Sequence, residues 1–202
     1  MARALRTAAA LLALLGALGA ARAESPLFDA ETGYRIARYR APVTAEAPAG
    51  VTRVGAVEVE RLIAGGAILI DAMAAIGAGP DPATGAWRLS RPRIHIPGSV
   101  WLPDVGKGDL SPAMDAYFRS NLERLTDEDK ARPIVIYCLA DCWMGWNAAK
   151  RAASYGYMAL HWFPDGTDGW IDLDRPLVPA EPVPMTPESG LSLGFKPGGS
   201  PR

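Results

Sequence analysis

Ile134–Tyr157, "IVIYCLADCWMGWNAAKRAASYGY", begins with an uninterrupted β-branched and aromatic run, passes through a short loop and continues as an Ala-rich segment that stops at Gly156. A run of this kind suits a strand buried on both faces. It predicts that "PIVIY" is a strand delivering Cys138 at its carboxyl end. The segment from about Trp143 to Tyr155 predicts a helix, with Gly156 as its stop. Both cysteines of the chain, Cys138 and Cys142, fall between the two elements and are separated by three residues. They form a disulfide, a metal clamp, or a nucleophile with a resolving partner, and spacing alone does not choose among these.

Outward from this stretch, apolar blocks alternate with helical patterns. "AILIDAM" is a continuous apolar run ending at Asp71, and "VEVERLIAGG" before it predicts a short helix closed by Gly65 and Gly66. A long turn-rich segment, "AAIGAGPDPATGAWRLSRPR", leads to "IHIPGSVWLP", a short strand around a Pro-Gly turn. In "SPAMDAYFRSNLERL", Ser111 offers an N-cap, Pro112 the first helical position, and Met114, Tyr117, Phe118, Leu122 and Leu125 one apolar face. "MALHWF" predicts a further strand. Strands alternating with helices imply a mainly parallel sheet with helices on its faces.

The two ends differ from this middle. Arg3 and Arg6 precede the apolar run "TAAALLALLGALGA" and the small-residue pattern "ARA" at Ala21–Ala23, which reads as a secretory signal peptide over residues 1–23. The run is short and Ala-rich for a membrane span, so cleavage is expected, with no span after it. Residues 24–50 read as a Pro- and Ala-rich N-terminal arm, 51–178 as the domain, and 179–202, "PAEPVPMTPESGLSLGFKPGGSPR", as a Pro/Gly-rich C-terminal tail. The chain has 21 basic and 22 acidic side chains, and loss of Arg3, Arg6 and Arg22 with the leader leaves a charge of about −4. Nucleic acid is therefore a poor partner. Two cysteines cannot replace a core, so they serve local chemistry or one local staple, and an oxidising compartment makes a disulfide their default state.

In this order the pieces resemble the rhodanese-like domain family. The matching stretches are "LIDAM", "IHIPGSVWLP" at the family's His-Ile-Pro-Gly-Ala-type turn, "PIVIYC" with its loop and Ala-rich helix, "YGY" closing that helix, and "WFPDGTDGW" at the family's Gly-Gly turn followed by a Trp. The likeness spans roughly Val57 to Leu177. It implies an α/β fold of rhodanese-like type, with a mainly parallel central sheet and helices on both faces. "CLADCWMGWNAA" and "PDGTDGW" further resemble the exported CXXCW-motif proteins associated with PQQ-dependent (quinoprotein) alcohol catabolism. Their name implies two residues between the cysteines, where this chain has Leu139, Ala140 and Asp141. That likeness implies a periplasmic accessory factor whose partners are a quinoprotein dehydrogenase, a c-type cytochrome or an alcohol-linked transport component.

The resemblance also assigns roles in the loop. Cys138 takes the position of the family's nucleophile, where loop amides and a helix N-terminus stabilise a thiolate or persulfide. Leu139, Ala140, Asp141, Trp143 and Met144 make up the binding loop. Trp143 stands where single-domain members commonly carry an Arg or Lys for an anionic donor, and Lys150 and Arg151 lie about two turns further along. Weak thiosulfate chemistry is expected. Cys142 reads as a resolving thiol, with a permanent staple as the bland alternative. A Cu(I) site using both cysteines, Met144 and His161 is another alternative, since soft sulfur suits that ion. Asp165, Asp168 and Trp170 are expected on the same rim as the cysteine loop, where the carboxylates fix a turn or accept a proton. Trp143, Trp146, Trp162 and Trp170 are grouped with that rim as a pocket floor or docking surface of a catalytically inactive module. His95 is expected to be structural, and His161 a satisfied strand histidine.

Overall fold

A computed structural model describes residues 26–44 and 46–185. The signal-peptide reading of residues 1–23 and most of the C-terminal tail lie outside the described residues. In chain order the elements are β1 (Val51–Arg53), α1 (Ala56–Ala64), β2 (Ile68–Asp71), β3 (Gly77–Pro80), β4 (Trp87–Leu89), β5 (Arg93–His95), β6 (Val100–Trp101), α2 (Pro112–Thr126), β7 (Ile134–Tyr137), α3 (Trp143–Ser154), β8 (Leu160–Phe163), α4 (Gly166–Ile171) and β9 (Val178–Ala180). Five strands form one parallel sheet in the order β1-β8-β7-β2-β6, and β3-β4 and β5-β9 are small antiparallel ribbons.

Side-chain alternation divides the core into two layers. Ile134, Ile136, Leu160 and Trp162 pack on one face with Tyr117, Phe118 and Leu122 of α2 and Ala148, Ala149 and Ala152 of α3. Val135, Tyr137 and Phe163 pack on the other face with Val59 of α1 and Trp170 of α4. A strand with period-two side chains that is apolar at every position can only be covered on both sides. Each fully buried side chain of this kind contributes about 1.5–3 kcal/mol.

The helix signals act as read. Ser111 accepts a hydrogen bond from the Met114 N–H at 3.3 Å, with Pro112 opening α2. The small residues of α3 let it lie close to the sheet. At Gly145 a Cβ would press on the backbone of Tyr137 and Cys138, at the carboxyl end of β7.

The described parts of both extensions are folded against the domain. Before β1, Val43 and Ala47 pack on the larger core layer. After α4, β9 pairs with β5, and Val183 N–H donates to the Trp101 carbonyl at 3.0 Å on the edge strand β6. The expected tail boundary at residue 179 therefore falls inside a strand. Long-range backbone pairing had no local signal there, because Pro179, Pro182 and Pro184 interrupt any period. Among the described residues, no helix is long and apolar enough to cross a membrane.

Candidate functional site

The central strand β7 ends at Tyr137, and its neighbour β2 runs beside it with Asp71 opposite Tyr137. Cys138 therefore emerges at the carboxyl rim of the sheet, and Cys142 is the N-cap residue of α3. The two are joined by a disulfide, with Cα atoms 6.1 Å apart. The bond is buried, Cys138 being 1% and Cys142 3% exposed.

Three segments enclose it. From α4, the Thr167 N–H donates to the Cys138 carbonyl at 3.2 Å, and Asp168 Oδ2 accepts the Ala140 N–H at 2.8 Å. Gly166 sits at φ 53°, and a Cβ there would strike the Cys138 carbonyl, so the approach of α4 to the loop requires glycine. From the N-terminal arm, Arg40 bridges Cys142 in antiparallel fashion. The Tyr39 carbonyl accepts the Trp143 N–H at 2.9 Å, and the Ala41 N–H donates to the Asp141 carbonyl at 3.1 Å. From the end of β2, the Met73 Sδ lies 3.4 Å from the Cys138 Sγ. Tyr39, Met73, Ala74 and Leu139 complete an apolar cluster with both cysteines and Met144.

The arm is anchored beside the site. Buried Asn147 accepts the Arg35 N–H at 3.0 Å and donates to the carbonyls of Arg35 and Gly106, both at 2.8 Å. The Arg35 guanidinium lies 4.7 Å above the Trp143 ring and 5.0 Å from that of Phe28. Its donors go to the carbonyls of Ala37 and Arg38. A cation thus sits against the Trp143 face, but it is committed to rings and carbonyls.

Several expectations are corrected. Two loop amides, those of Ala140 and Trp143, donate to oxygen acceptors, so these two do not point at the Cys138 sulfur as expected of the loop. Trp170 is a core residue of the opposite layer, its Nε1 donating to the Pro176 carbonyl at 3.1 Å, and Trp162 is buried in the larger layer. Of the four tryptophans only Trp143 and Trp146 pack together by the site, with ring centroids 5.6 Å apart. Asp165 is exposed and precedes α4 without a side-chain cap, whereas Asp168 clasps the loop. The "DGTDGW" turn is in fact the short helix α4. His161 pairs across from Val135, before the rim, and its Nδ1 has no hydrogen-bond partner among the described residues, so it is not the satisfied histidine expected. Lys150 donates to the Thr32 carbonyl and Arg151 to those of Val105, Lys107 and Gly108, so neither serves the loop. His95 lies 3.7 Å from Asp71, whose carboxylate is held by Arg93 at 2.7 and 3.0 Å.

Met73, Tyr39, Arg35 and Asn147 were not singled out by sequence. The only signal for Met73 was its place just past the end of a strand parallel to β7. Among the described residues, no three His, Cys, Asp or Glu side chains converge as a metal-ligand set.

None of the curated proteins matches this chain. Similar solved structures include an uncharacterized protein from Saccharomyces cerevisiae, at 19% identity over 61% of this chain and 92% of that one, with a TM-score of 0.39. A rhodanese-like domain from an Anabaena protein is 14% identical over 76% of this chain and 88% of that one, with a TM-score of 0.38. The polysulfide-sulfur transferase homodimer of Wolinella succinogenes is 14% identical over 74% and 86%, with a TM-score of 0.39. The family model for the rhodanese-like domain matches residues 56–173, more than half of the chain and the whole run from α1 through α4. With a parallel sheet whose central strand delivers Cys138 just past its carboxyl end, the chain belongs to the rhodanese-like domain family.

Proposed function

We propose that this is an exported protein whose Cys138–Cys142 pair handles sulfur or thiol–disulfide redox equivalents, as an accessory to PQQ-dependent alcohol catabolism and not as the oxidising enzyme. The chemical half is carried by one observation: a disulfide at the carboxyl end of the central strand, joining the family's nucleophile position to the N-cap of the next helix. The pathway half is supported by the likeness of "CLADCWMGWNAA" and "PDGTDGW" to the CXXCW-motif proteins, and export by the leader-like residues 1–23. A quinoprotein dehydrogenase, a c-type cytochrome or an alcohol-linked transport component is the partner this reading calls for.

In the reduced pair, the Cys138 thiolate takes a sulfane sulfur from a polysulfide-type donor and becomes a persulfide. Cys142 thiolate then attacks Cys138 Sγ, the protein disulfide re-forms, and the sulfane sulfur leaves as hydrosulfide. Two electrons pass from the dithiol to the sulfur, and a thiol reductant restores the pair. Because α3 begins at Cys142, its N-terminal dipole favours the thiolate forms.

The Cys142→Ser variant separates the steps: treated with polysulfide, it should accumulate one added sulfur on Cys138, visible by mass. An unmodified Cys138 in that variant would remove the sulfur-handling reading. Thiosulfate turnover in the wild type should stay below about one per second, since Trp143 stands at the family's usual base position and the Arg35 guanidinium against its ring is committed to carbonyls. Trp143→Arg should be examined for a gain. For the pathway, a strain lacking the gene should grow poorly on alcohols oxidised by a PQQ enzyme, and unimpaired growth would sink that half. Full complementation by a double Ser variant would instead favour a docking module without thiol chemistry.

One observation favours a second reading. Met73 and Met144 both pack on the cysteines, which would give a reduced pair two thiolates and adjacent thioethers suited to Cu(I). Met73, and not His161, would then be the added ligand. Tight Cu(I) binding that weakens in Met73→Leu but not in His161→Gln is the expected signature of that chemistry.

A further inference from the structure

We propose that a cavity behind Met73 is a subsite for small thiols that carry a carboxylate, with Arg91 receiving the carboxylate and the Met73 thioether acting as the gate to Cys138. This inference rests on the reading of the pair as redox-active and names the class of thiol that reaches it.

The cavity has a volume of about 190 Å³ and is lined by Met73, Ala74, Ile76, Arg91, Arg93 and Trp101, among others. Met73 and Ala74 also pack on the cysteine cluster, so they form the wall between cavity and disulfide. The backbone of that wall is fixed. The Met73 N–H donates to Asp71 Oδ1 at 3.0 Å, and the Met73 carbonyl accepts the Trp101 Nε1–H at 2.7 Å. Only the side chain is left to move. An unbranched thioether with three rotatable bonds does so readily. On the other side, the Arg40 bridge and the Tyr39 carbonyl close over Cys142 and Trp143. Cys138 is thus the sulfur that a thiol reaches from the cavity, and Cys142 is the leaving group.

The charges in the cavity define the ligand. Arg93 is committed to buried Asp71 through both Nε and Nη2. Arg91 is exposed, and no hydrogen bond or ion pair holds it among the described residues. One free guanidinium above a wall of Met73, Ile76 and Trp101 matches a molecule with a short aliphatic body and one carboxylate. A cationic thiol meets the same charge as repulsion.

The exchange balances. A thiolate RS⁻ attacks Cys138 Sγ, the RS–Sγ bond forms and the Cys138–Cys142 bond breaks, with the electron pair leaving on Cys142 and taking a proton from water. A second thiolate attacks the R sulfur, releasing RSSR and the Cys138 thiolate. Two thiols are oxidised and the protein disulfide is reduced to two thiols.

The test measures second-order rates of disulfide reduction in the full chain with 3-mercaptopropionate, 2-mercaptoethanol and cysteamine, each normalised to its thiolate fraction. Arg91→Gln should slow 3-mercaptopropionate on the order of fivefold, leave 2-mercaptoethanol unchanged and speed cysteamine. The difference should fade at about 1 M salt. Met73→Ala should speed all three. An unaltered ratio of 3-mercaptopropionate to 2-mercaptoethanol in Arg91→Gln, or no acceleration in Met73→Ala, overturns the subsite while leaving a reducible pair intact. A disulfide that none of the thiols reduces in the folded wild type overturns the redox reading and the subsite together.

Discussion

The segment before β1 and the segment after α4 both attach to the sheet domain by backbone pairing, but they close different things. The first lays Tyr39 and Arg40 along the cysteine loop and is pinned by Asn147, so it covers the Cys138–Cys142 disulfide. The second pairs with β5 and the edge strand β6, and its Val183 carbonyl accepts both the Trp87 Nε1–H at 2.8 Å and the Tyr117 hydroxyl at 2.7 Å. It covers a sheet edge and satisfies buried donors of the larger core layer. One extension therefore closes over the disulfide and the other over a sheet edge and the buried donors behind it. Similar composition does not mean similar work.

The sharpest way to break this distinction is to remove each segment. Deleting residues 26–43 should raise the rate of disulfide reduction by 2-mercaptoethanol about 10–100-fold, because a local closure worth a few kcal/mol is abolished. Ending the chain at Leu177 should leave that rate within about twofold, yet lower the unfolding free energy by about 3 kcal/mol or more, since Trp87 and Tyr117 lose their acceptor. Equal effects of the two truncations on reduction would abolish the contrast.

Asn147→Ala sharpens the comparison without removing any chain. It leaves the Arg35 N–H without its side-chain acceptor and frees two buried carbonyls, at a cost of about 2–4 kcal/mol in denaturant unfolding. Reduction of the disulfide should accelerate several-fold, which a purely structural asparagine would not cause. An unaltered reduction rate alongside lower stability would detach the anchor from the site.

The smallest effect is a pH dependence at a residue outside both segments. Burial lowers the His161 pKa below its ordinary value of 6.5, with Glu58 partly opposing. The unfolded chain then holds the proton more tightly, so stability rises with pH from the folded pKa up to about 6.5 and falls as pH drops through that window. Melting profiles of wild type and His161→Gln should diverge there and nowhere else. A parallel pair of profiles would mean that the imidazole is not desolvated.

How far the sequence could be read differs from element to element. The run "PIVIY", the cap at Ser111 and the small-residue face of α3 were legible because each is a local pattern with a fixed period. The placement of Cys138 at the rim followed directly. Met73 was not legible as a neighbour of Cys138, since only the β2–β7 register sets Asp71 beside Tyr137. Trp170 was misplaced because proximity in sequence to Asp165 and Asp168 says nothing about which face of the sheet a side chain enters.

By itself, then, the sequence determined the parallel α/β architecture, the strand that ends at Cys138 and the helix that starts at Cys142, through apolar periodicity and capping that act over a few residues. Only the tertiary structure decided what surrounds the sulfur: Met73 on one side, the Tyr39–Arg40 strap on the other, and Asp168 beneath the loop. Those contacts join residues far apart in the chain. Their selection depends on strand register and on the pairing of Pro-rich segments whose backbone partners leave no periodic mark in the sequence.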